Sequence, residues 1–251
     1  MSKSLLQVIG ITTIFVSIIF FMFIDQAISR PTNTVSNRSI KENLSLNFSY
    51  RNNQNKLTLR EYINIDNDNS LYKYVNTQVP LHDKTYVPAM LVAVDSPYVI
   101  QRSKGMELRP EANAALDDLA KAFFVAFDKN LYLVSAYRSY AFQQSLINAW
   151  CSANRCAKPG TSEHQLGLAI DIHVWTNGRQ SSSMSNKDSV YYKRLEQNAH
   201  KFGWHNTFQK GIHIDGQMEE WRHWRYIGKS FAKQLWEQDI TLAEYYARSK
   251  K

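Results

Sequence analysis

The sequence SEHQLGLAIDIHVW, residues 162–175, is the most informative part of the chain. From Leu166 to Trp175 its apolar residues recur at alternate positions, which predicts a β-strand because successive side chains point to opposite faces. Asp171 lies on one face of this strand between two isoleucines, where a carboxylate is costly to bury unless something pairs with it. A metal ion is such a partner. His164 lies just before the strand, where a loop could bring its ring beside Asp171.

A second stretch, GQMEEWRHWRYIG, places Glu220 three residues before His223. A histidine ligand with a nearby glutamate gives a zinc site its general base. Together with His164 and Asp171, His223 would supply three protein ligands and leave the fourth position for water. This is the pattern of a catalytic zinc site rather than a structural one.

A third stretch, SAYRSYAFQQS, contains Arg138. Its guanidinium always carries charge and presents a planar fork of donors, so beside a metal it could stabilise the oxyanion formed during peptide hydrolysis. Each of the three signals is weak when taken singly. Spacing does not rank the remaining candidate ligands, which are His173, His200, His205 and His213.

The periodicity predicts an α+β fold, because helices mix with short strands that are not in βαβ order. Helices are expected where apolar residues recur at helical spacing, over 109–127, 141–150, 190–202 and 229–238. Strands are expected over 131–135, 166–175 and 223–227, with a strand-like approach over 86–94.

The N-terminus predicts a membrane anchor. No charged residue occurs from Leu5 to Ile24, and about 20 apolar residues in a helix span the bilayer core. The run is longer than that of a typical signal peptide and lacks a clear cleavage site, so the anchor of residues 1–29 is expected to remain uncleaved. Lys3 predicts that the short N-terminus stays inside and that the rest is exported.

The remainder of the chain divides into a linker and a globular domain. Residues 30–75 are rich in Asn, Ser and charge, which is typical of a polar linker, with a short strand near residues 56–65. Residues 76–251 are expected to form the catalytic domain. Cys151 and Cys156 either form a disulfide or remain as two thiols, and the exported location favours the disulfide.

Composition excludes little by itself. The chain is 44% hydrophobic with a net charge of +8, so it can bury a core and could bind an anionic partner. Its Lys and Arg residues are scattered rather than clustered in a run, and the membrane anchor also argues against nucleic acid as a partner.

Four segments occur in an order that resembles the VanY-type D-alanyl-D-alanine carboxypeptidases of the LAS metallopeptidase group. They read SAYRSYAFQ, PGTSEHQLGLAIDI, NAHKFGW and EEWRHWRYIG, and the resemblance covers roughly residues 80–245. The SxHxxGxAxD motif followed by ExxH is specific in combination. The resemblance implies a LAS/hedgehog-like zinc peptidase domain, with a small antiparallel sheet and flanking helices.

The resemblance also implies roles for individual residues. One Zn²⁺ ion would be bound by His164, Asp171 and His223, with Glu220 as the catalytic glutamate and Arg138 as the residue that stabilises the transition state. Two further residues match positions near the substrate, Gln143 and Ser162.

One departure from the family pattern concerns the substrate. The family usually reads Glu-Pro-Trp-His, whereas this chain reads Glu220-Trp221-Arg222-His223. The spacing between base and ligand is preserved, but the wall that receives the substrate differs. A shift of one residue, with Glu219 as the base, is the lesser alternative.

The expected activity is removal of the terminal D-Ala from peptidoglycan stem peptides. The alternatives are an L,D-carboxypeptidase or an endopeptidase on the same scaffold. A non-catalytic wall-binding module is a further alternative, which the presence of Glu220 disfavours.

Overall fold

The computed structural model describes residues 63–149 and 156–250 of the 251-residue chain. The predicted anchor Leu5–Ile24 and the predicted linker up to residue 62 lie outside the described residues. Within the described ranges, no helix is both long and apolar enough to cross a bilayer.

The described residues form eight short strands. In chain order they are β1 (Val92–Ala93), β2 (Val99–Gln101), β3 (Glu107–Leu108), β4 (Asn130–Ser135), β5 (Ala169–Thr176), β6 (Arg179–Ser181), β7 (Trp204–His205) and β8 (His223–Tyr226). Strands β1 and β3 form a separate antiparallel pair, and the main sheet has the order β2-β4-β5-β8-β7 with β6 beside β5.

The main sheet is mixed, so the expectation of an antiparallel sheet is wrong in one pairing. Strand β2 runs parallel to β4, whereas β4, β5, β8, β7 and β6 pair antiparallel. Parallel strands need a crossover connection, and the segment between β2 and β4 contains a long helix that supplies it.

Six α-helices surround the sheet in the described part of the chain. They are α1 (Pro110–Phe127), α2 (Tyr140–Ala149), α3 (Val190–Asn198), α4 (Ile212–Asp215), α5 (Lys229–Glu237) and α6 (Leu242–Ser249). The predicted helices at 109–127, 141–150 and 229–238 are confirmed within one residue at each described end. The predicted helix over 190–202 instead ends at Asn198 and tightens into a 3₁₀ turn, Ala199–Phe202, as helix ends often do.

Helix α1 packs against the main sheet, and both contribute side chains to the main hydrophobic core. Proline at its first position favours helix initiation, and its buried side chains recur every three or four residues, from Ala112 through Leu116 and Leu119 to Phe123. On the sheet, Leu131 and Leu133 of β4 are fully buried beside the apolar face of β5. The apolar face of β5 thus packs against this core.

Packing also extends into the last part of the predicted linker. Tyr74 and Val75 are buried core residues, and the fully buried Lys73 forms an ion pair with Asp68 at 3.0 Å. The Arg225 Nη2 atom of β8 donates to the carbonyl of Leu71 at 3.0 Å. The segment from residue 63 therefore folds together with the strands that carry the site.

Candidate metal centre

The register between β5 and β8 brings two predicted ligands together. Asp171 pairs directly with His223, and Ala169 pairs with Arg225. Directly opposed residues of an antiparallel pair project on the same face with neighbouring side chains. Asp171, His223 and Arg225 therefore share the face of the sheet that lies opposite the main core.

A 3₁₀ turn, Glu163–Leu166, positions the third ligand. The predicted strand from Leu166 therefore starts later, at Ala169. Gly167 ends the turn at φ 66°, where its N–H donates to the carbonyl of His164. A Cβ at Gly167 would lie 2.9 Å from Leu91 Cδ2, so both the backbone conformation and the close packing require glycine.

The backbone of the Arg138 stretch is tied to the same turn. The Arg138 N–H donates to the carbonyl of His164 at 3.2 Å. A register shift in β4 between Leu133 and Ser135 places Ser135 opposite Asp171, and such bulges commonly re-aim side chains beside active sites. All three stretches singled out in the sequence thus meet at one place.

The outer hydrogen bonds of the two histidines direct their remaining nitrogens at Asp171. His164 Nδ1 donates to the carbonyl of Ala136 at 2.7 Å. Its other ring nitrogen, Nε2, lies 3.3 Å from Asp171 Oδ1. His223 Nε2 lies 2.8 Å from Glu163 Oε2, which leaves Nδ1, 3.1 Å from the same Oδ1 atom. Two ring nitrogens and a carboxylate oxygen therefore converge on one point.

This arrangement fits a metal ion. The ligand atoms of His164, Asp171 and His223 lie within 4.8 Å of one another and all three residues are buried. Two imidazoles and one carboxylate are ligands that suit Zn²⁺, and three protein ligands leave a position for water or substrate. Ring nitrogens fixed by a carbonyl or a carboxylate on the far side are typical of zinc-binding histidines.

The charges of the site are strongly coupled. Burial alone would raise the pKa of Asp171, yet His164 and His223 hold it well below its ordinary value. Burial lowers the pKa of His164. For His223, hydrogen bonds and charges from Asp171 and Glu163 outweigh burial and raise the pKa to about 9. The three side chains therefore lie close enough to shift one another's pKa.

Glu163 is a functional residue that the sequence reasoning missed. It is 3% exposed, accepts a hydrogen bond from Thr207 Oγ1 at 2.9 Å, and lies 3.9 Å from Arg225 Nη1. Burial opposes its charge, but the hydrogen bond to His223 lowers its pKa. Its position between Ser162 and His164 was the only signal in the sequence, since its contact with His223 spans 60 residues.

The segment Asn206–Phe208 supports the stretch that carries Glu220 and His223. The Asn206 amide donates to the carbonyls of Glu220 and His223 at 3.1 and 3.0 Å. Phe208 stacks on the His223 ring with centroids 4.7 Å apart, and its carbonyl accepts from the Glu220 N–H at 2.9 Å. Sequence reasoning missed this segment as well, because no motif marks it.

Glu220 lies at the edge of a cavity of about 650 Å³ that the three ligands also line. Its Oε1 atom accepts a hydrogen bond from Arg222 Nε at 2.7 Å. Glu219, the alternative base, is exposed, whereas Glu220 is one of the residues that line the cavity. Glu220, and not Glu219, therefore shares the cavity with the three ligands.

The other predicted site residues lie around the same cavity. Arg138 Nη1 is 3.6 Å from Asp171 Oδ2 and donates to Ser135 Oγ at 3.2 Å. Ser162 lines the cavity and is 2% exposed. Gln143 is buried behind the wall, where its Nε2 donates to the carbonyl of Ala157 at 2.7 Å, and Ala157 lines the cavity.

The remaining candidate histidines do not belong to the ligand group, although His173 lies near it, two residues from Asp171 on the same face of β5. His173 is buried on β5, His205 is buried on β7, His200 stacks on Trp236, and His213 is exposed. Within residues 63–149 and 156–250, the group of side chains suited to a metal consists of His164, Asp171 and His223.

Only one of the two cysteines of the predicted disulfide lies within the described residues. Cys156 is disulfide-bonded and lines the cavity, whereas Cys151, the other cysteine of the chain, lies outside the described residues.

A buried set of two histidines and one aspartate, open to a cavity that carries a glutamate, defines a zinc-dependent hydrolase. Comparison with known proteins narrows this class to one family. The model of the VanY family, described as D-alanyl-D-alanine carboxypeptidase, matches residues 105–229. A Bacillus subtilis protein described as a carboxypeptidase, YodJ, is 34% identical over 202 residues, which cover 74% of this chain and 71% of YodJ. The chain therefore belongs to the VanY family of zinc metallopeptidases.

Solved structures agree with this assignment. The LdcB LD-carboxypeptidase is 31% identical with a TM-score of 0.64, over 72% of this chain and 87% of that one. A VanY D,D-pentapeptidase in complex with Zn(II), from a VanB-type resistance cassette, is 27% identical with a TM-score of 0.55, over 70% and 98% of the two chains. The cofactor of this chain is accordingly Zn²⁺, held by His164, Asp171 and His223.

Proposed function

We propose that this chain is a zinc-dependent carboxypeptidase that removes the terminal D-alanine from peptidoglycan stem peptides. The observation that carries the proposal is the buried ligand set of His164, Asp171 and His223 on the wall of a cavity that also exposes Glu220. The cavity, at about 650 Å³, is within the range that accommodates a small ligand or a short peptide end.

In this proposal Glu220 is the general base and then the general acid. When zinc is bound, it polarises the scissile carbonyl and lowers the pKa of water. Glu220 accepts a proton from the attacking water and then donates that proton to the amine of the leaving D-alanine. Its side chain is 31% exposed and lines the cavity, so the carboxylate can reach a water there.

Arg138 is proposed to stabilise the oxyanion. Its side chain lines the cavity and is 18% exposed, so part of the guanidinium faces the space where a substrate would lie. Its charge is held near the metal ligands by Asp171 Oδ2 at 3.6 Å. A cationic donor fixed before the reaction stabilises developing charge without reorganisation.

The two remaining predicted residues take supporting roles. Ser162, on the cavity wall beside His164, is proposed to contact the substrate. Gln143 is proposed to shape the substrate site, and its bond to the Ala157 carbonyl is the contact through which it would act.

The choice between a D,D- and an L,D-bond is the finer part of the proposal. The VanY family description favours the D-alanyl-D-alanine bond, and a related solved structure is VanYB in complex with D-alanine-D-alanine, 28% identical with a TM-score of 0.54. The likeness to the LdcB LD-carboxypeptidase favours an L,D-bond as the second candidate.

A digest of defined stem peptides tests both candidates. The full-length chain, loaded with zinc, is incubated separately with a pentapeptide that ends in D-Ala-D-Ala and with the tetrapeptide that lacks the last residue. Mass spectrometry showing loss of one alanine from the pentapeptide supports the D,D-assignment, and loss from the tetrapeptide supports the L,D-assignment. Internal cleavage would indicate an endopeptidase, and intact peptides would contradict the proposal.

We also propose that the apolar run Leu5–Ile24 anchors the enzyme in the cell membrane with the catalytic domain outside. The length of the run and the disulfide at Cys156 support an oxidising, extracytoplasmic location. Protease added to intact spheroplasts should digest the catalytic domain. Protection of the domain until the cells are lysed would contradict this orientation.

A further inference from the structure

Arg222 occupies a position beside the catalytic glutamate. Its side chain lines the cavity, is 42% exposed, and donates from Nε to Glu220 Oε1 at 2.7 Å. The root of the side chain is fixed, because the Arg222 carbonyl accepts from the Ile172 N–H of β5 at 3.0 Å. The guanidinium is therefore both held in place and accessible from the cavity.

The outer edge of this guanidinium is available to a ligand. Within the described ranges, the hydrogen bond of the Arg222 side chain is made by Nε, and no acceptor there binds the two Nη groups. Burial lowers the pKa of Arg222, but the charges of Glu220 and Asp171 raise it overall. A permanently charged planar fork with unused donors matches a carboxylate in geometry and charge.

The leaving amino acid carries a carboxylate at the corresponding distance. In a carboxypeptidase reaction the amine that Glu220 protonates and the C-terminal carboxylate are attached to the same Cα, through two bonds of about 1.5 Å each. A cation that is hydrogen-bonded to the proton donor therefore lies within reach of the carboxylate of the same residue. In an endopeptidase reaction an uncharged amide would stand in that place.

We infer that Arg222 determines exopeptidase specificity by binding the C-terminal carboxylate of the substrate through its Nη groups while Nε remains on Glu220. This inference rests on the proposed carboxypeptidase function and names the group that makes the enzyme select chain ends. Arg222 is thus a specificity-determining residue.

The test compares two substrates that differ only in this carboxylate. The cleavable stem peptide is prepared as the C-terminal acid and as the C-terminal amide, and kcat and KM are measured for wild type and Arg222→Gln. The variant should lose about 10- to 100-fold of the wild-type preference for the acid, the range expected for a charge-assisted hydrogen bond, mainly through KM. Any effect that acts only through Glu220 changes both substrates alike and leaves their ratio unchanged.

Two further variants make the result specific. Arg102→Gln removes another cationic side chain of the same cavity, exposed on its rim, and should keep the acid-to-amide ratio of wild type. Arg222→Lys keeps the charge but loses the fork, so it should retain part of the preference. If Arg222→Gln fails to fold, a reduced ratio in Arg222→Lys supports the inference and an unchanged ratio overturns it.

The failure of this inference can be told from failure of the proposed function. Wild type that cleaves neither peptide contradicts the carboxypeptidase function itself. Wild type that prefers the acid, together with an Arg222→Gln variant of the same preference, overturns only the role of Arg222.

Discussion

The ligand cage, His164, Asp171 and His223, and the turn that carries Glu220 and Arg222 are held by the chain in different ways. The side chains of the cage are 2%, 8% and 3% exposed, and two of its members face each other across paired strands. The side chains of Glu220 and Arg222 are 31% and 42% exposed. Their carboxylate and guanidinium contact each other and face the cavity.

This difference in exposure suggests different tasks for the cage and for the turn. Sheet register and buried outer hydrogen bonds position the side chains of the cage. In the proposed mechanism the turn presents groups that exchange protons and bind substrate, which requires access to the cavity. Mutations in the two regions should therefore affect metal affinity and catalysis separately.

The largest expected effect is loss of catalysis in Glu220→Gln. The substitution keeps the shape of the side chain but removes the base, so kcat should fall by about 10²- to 10⁴-fold. Zinc content should remain that of wild type, because the cage is intact. Steady-state hydrolysis of the cleavable stem peptide, together with metal analysis of the purified protein, measures both quantities.

Glu219→Gln is the matched control for that variant. Glu219 is adjacent in sequence but exposed, so its substitution should leave kcat near that of wild type. A large loss of kcat in Glu219→Gln, combined with an active Glu220→Gln, would show that Glu219 rather than Glu220 is the base.

A smaller effect is expected from Glu163→Gln, which tests the cage. Glu163 accepts from His223 Nε2 at 2.8 Å and so directs Nδ1 toward the metal. Loss of its charge should lower zinc affinity by about 10- to 100-fold, the range seen for outer partners of metal ligands. Competition with a chromophoric chelator measures this affinity, and kcat at saturating zinc should change much less.

Glu196→Gln provides the comparison for this experiment, because Glu196 is an exposed carboxylate on α3. Its zinc affinity should equal that of wild type. If Glu163→Gln also binds zinc as tightly as wild type, then the cage does not depend on its outer carboxylate.

Local patterns predicted the parts of the site that depend on short stretches of sequence. Alternation placed Asp171 within a strand, and the short distance from Glu220 to His223 marked a ligand with its base. The strand is confirmed, because side-chain direction in a strand follows from periodicity alone, whereas the role of Glu220 as the base stays a prediction. The helix over 109–127 was predicted for the same reason.

Contacts across long distances in the chain could not be read in this way. The pairing of Asp171 with His223 spans 52 residues, and the bond from Thr207 to Glu163 spans 44. Register decides such contacts, and register depends on how the whole sheet packs. The parallel pairing of β2 with β4 was missed for another reason, since β2 is three residues long and was not predicted as a strand.

The smallest predicted effect concerns the support behind the cage and is a loss of stability in mild acid. His205 pairs with Arg225 across β7 and β8, and burial lowers its pKa to about 4, against about 6.5 in the unfolded chain. Above pH 6.5 it is neutral in both states. As the pH falls toward 4, the unfolded chain takes up a proton that the folded chain does not, so the free energy of unfolding decreases, by about 1 kcal/mol between pH 7 and 5.5 for this residue.

Urea unfolding of zinc-loaded wild type and His205→Gln at pH 7 and 5.5 measures this contribution. The variant should lose less stability than wild type over this interval, by about 1 kcal/mol, while other histidines contribute equally to both proteins. His213→Gln, at an exposed position on α4, should keep the pH dependence of wild type. Identical pH dependence in His205→Gln and wild type would contradict this prediction. It would mean that His205 binds a proton in the folded protein as readily as in the unfolded chain, despite its burial.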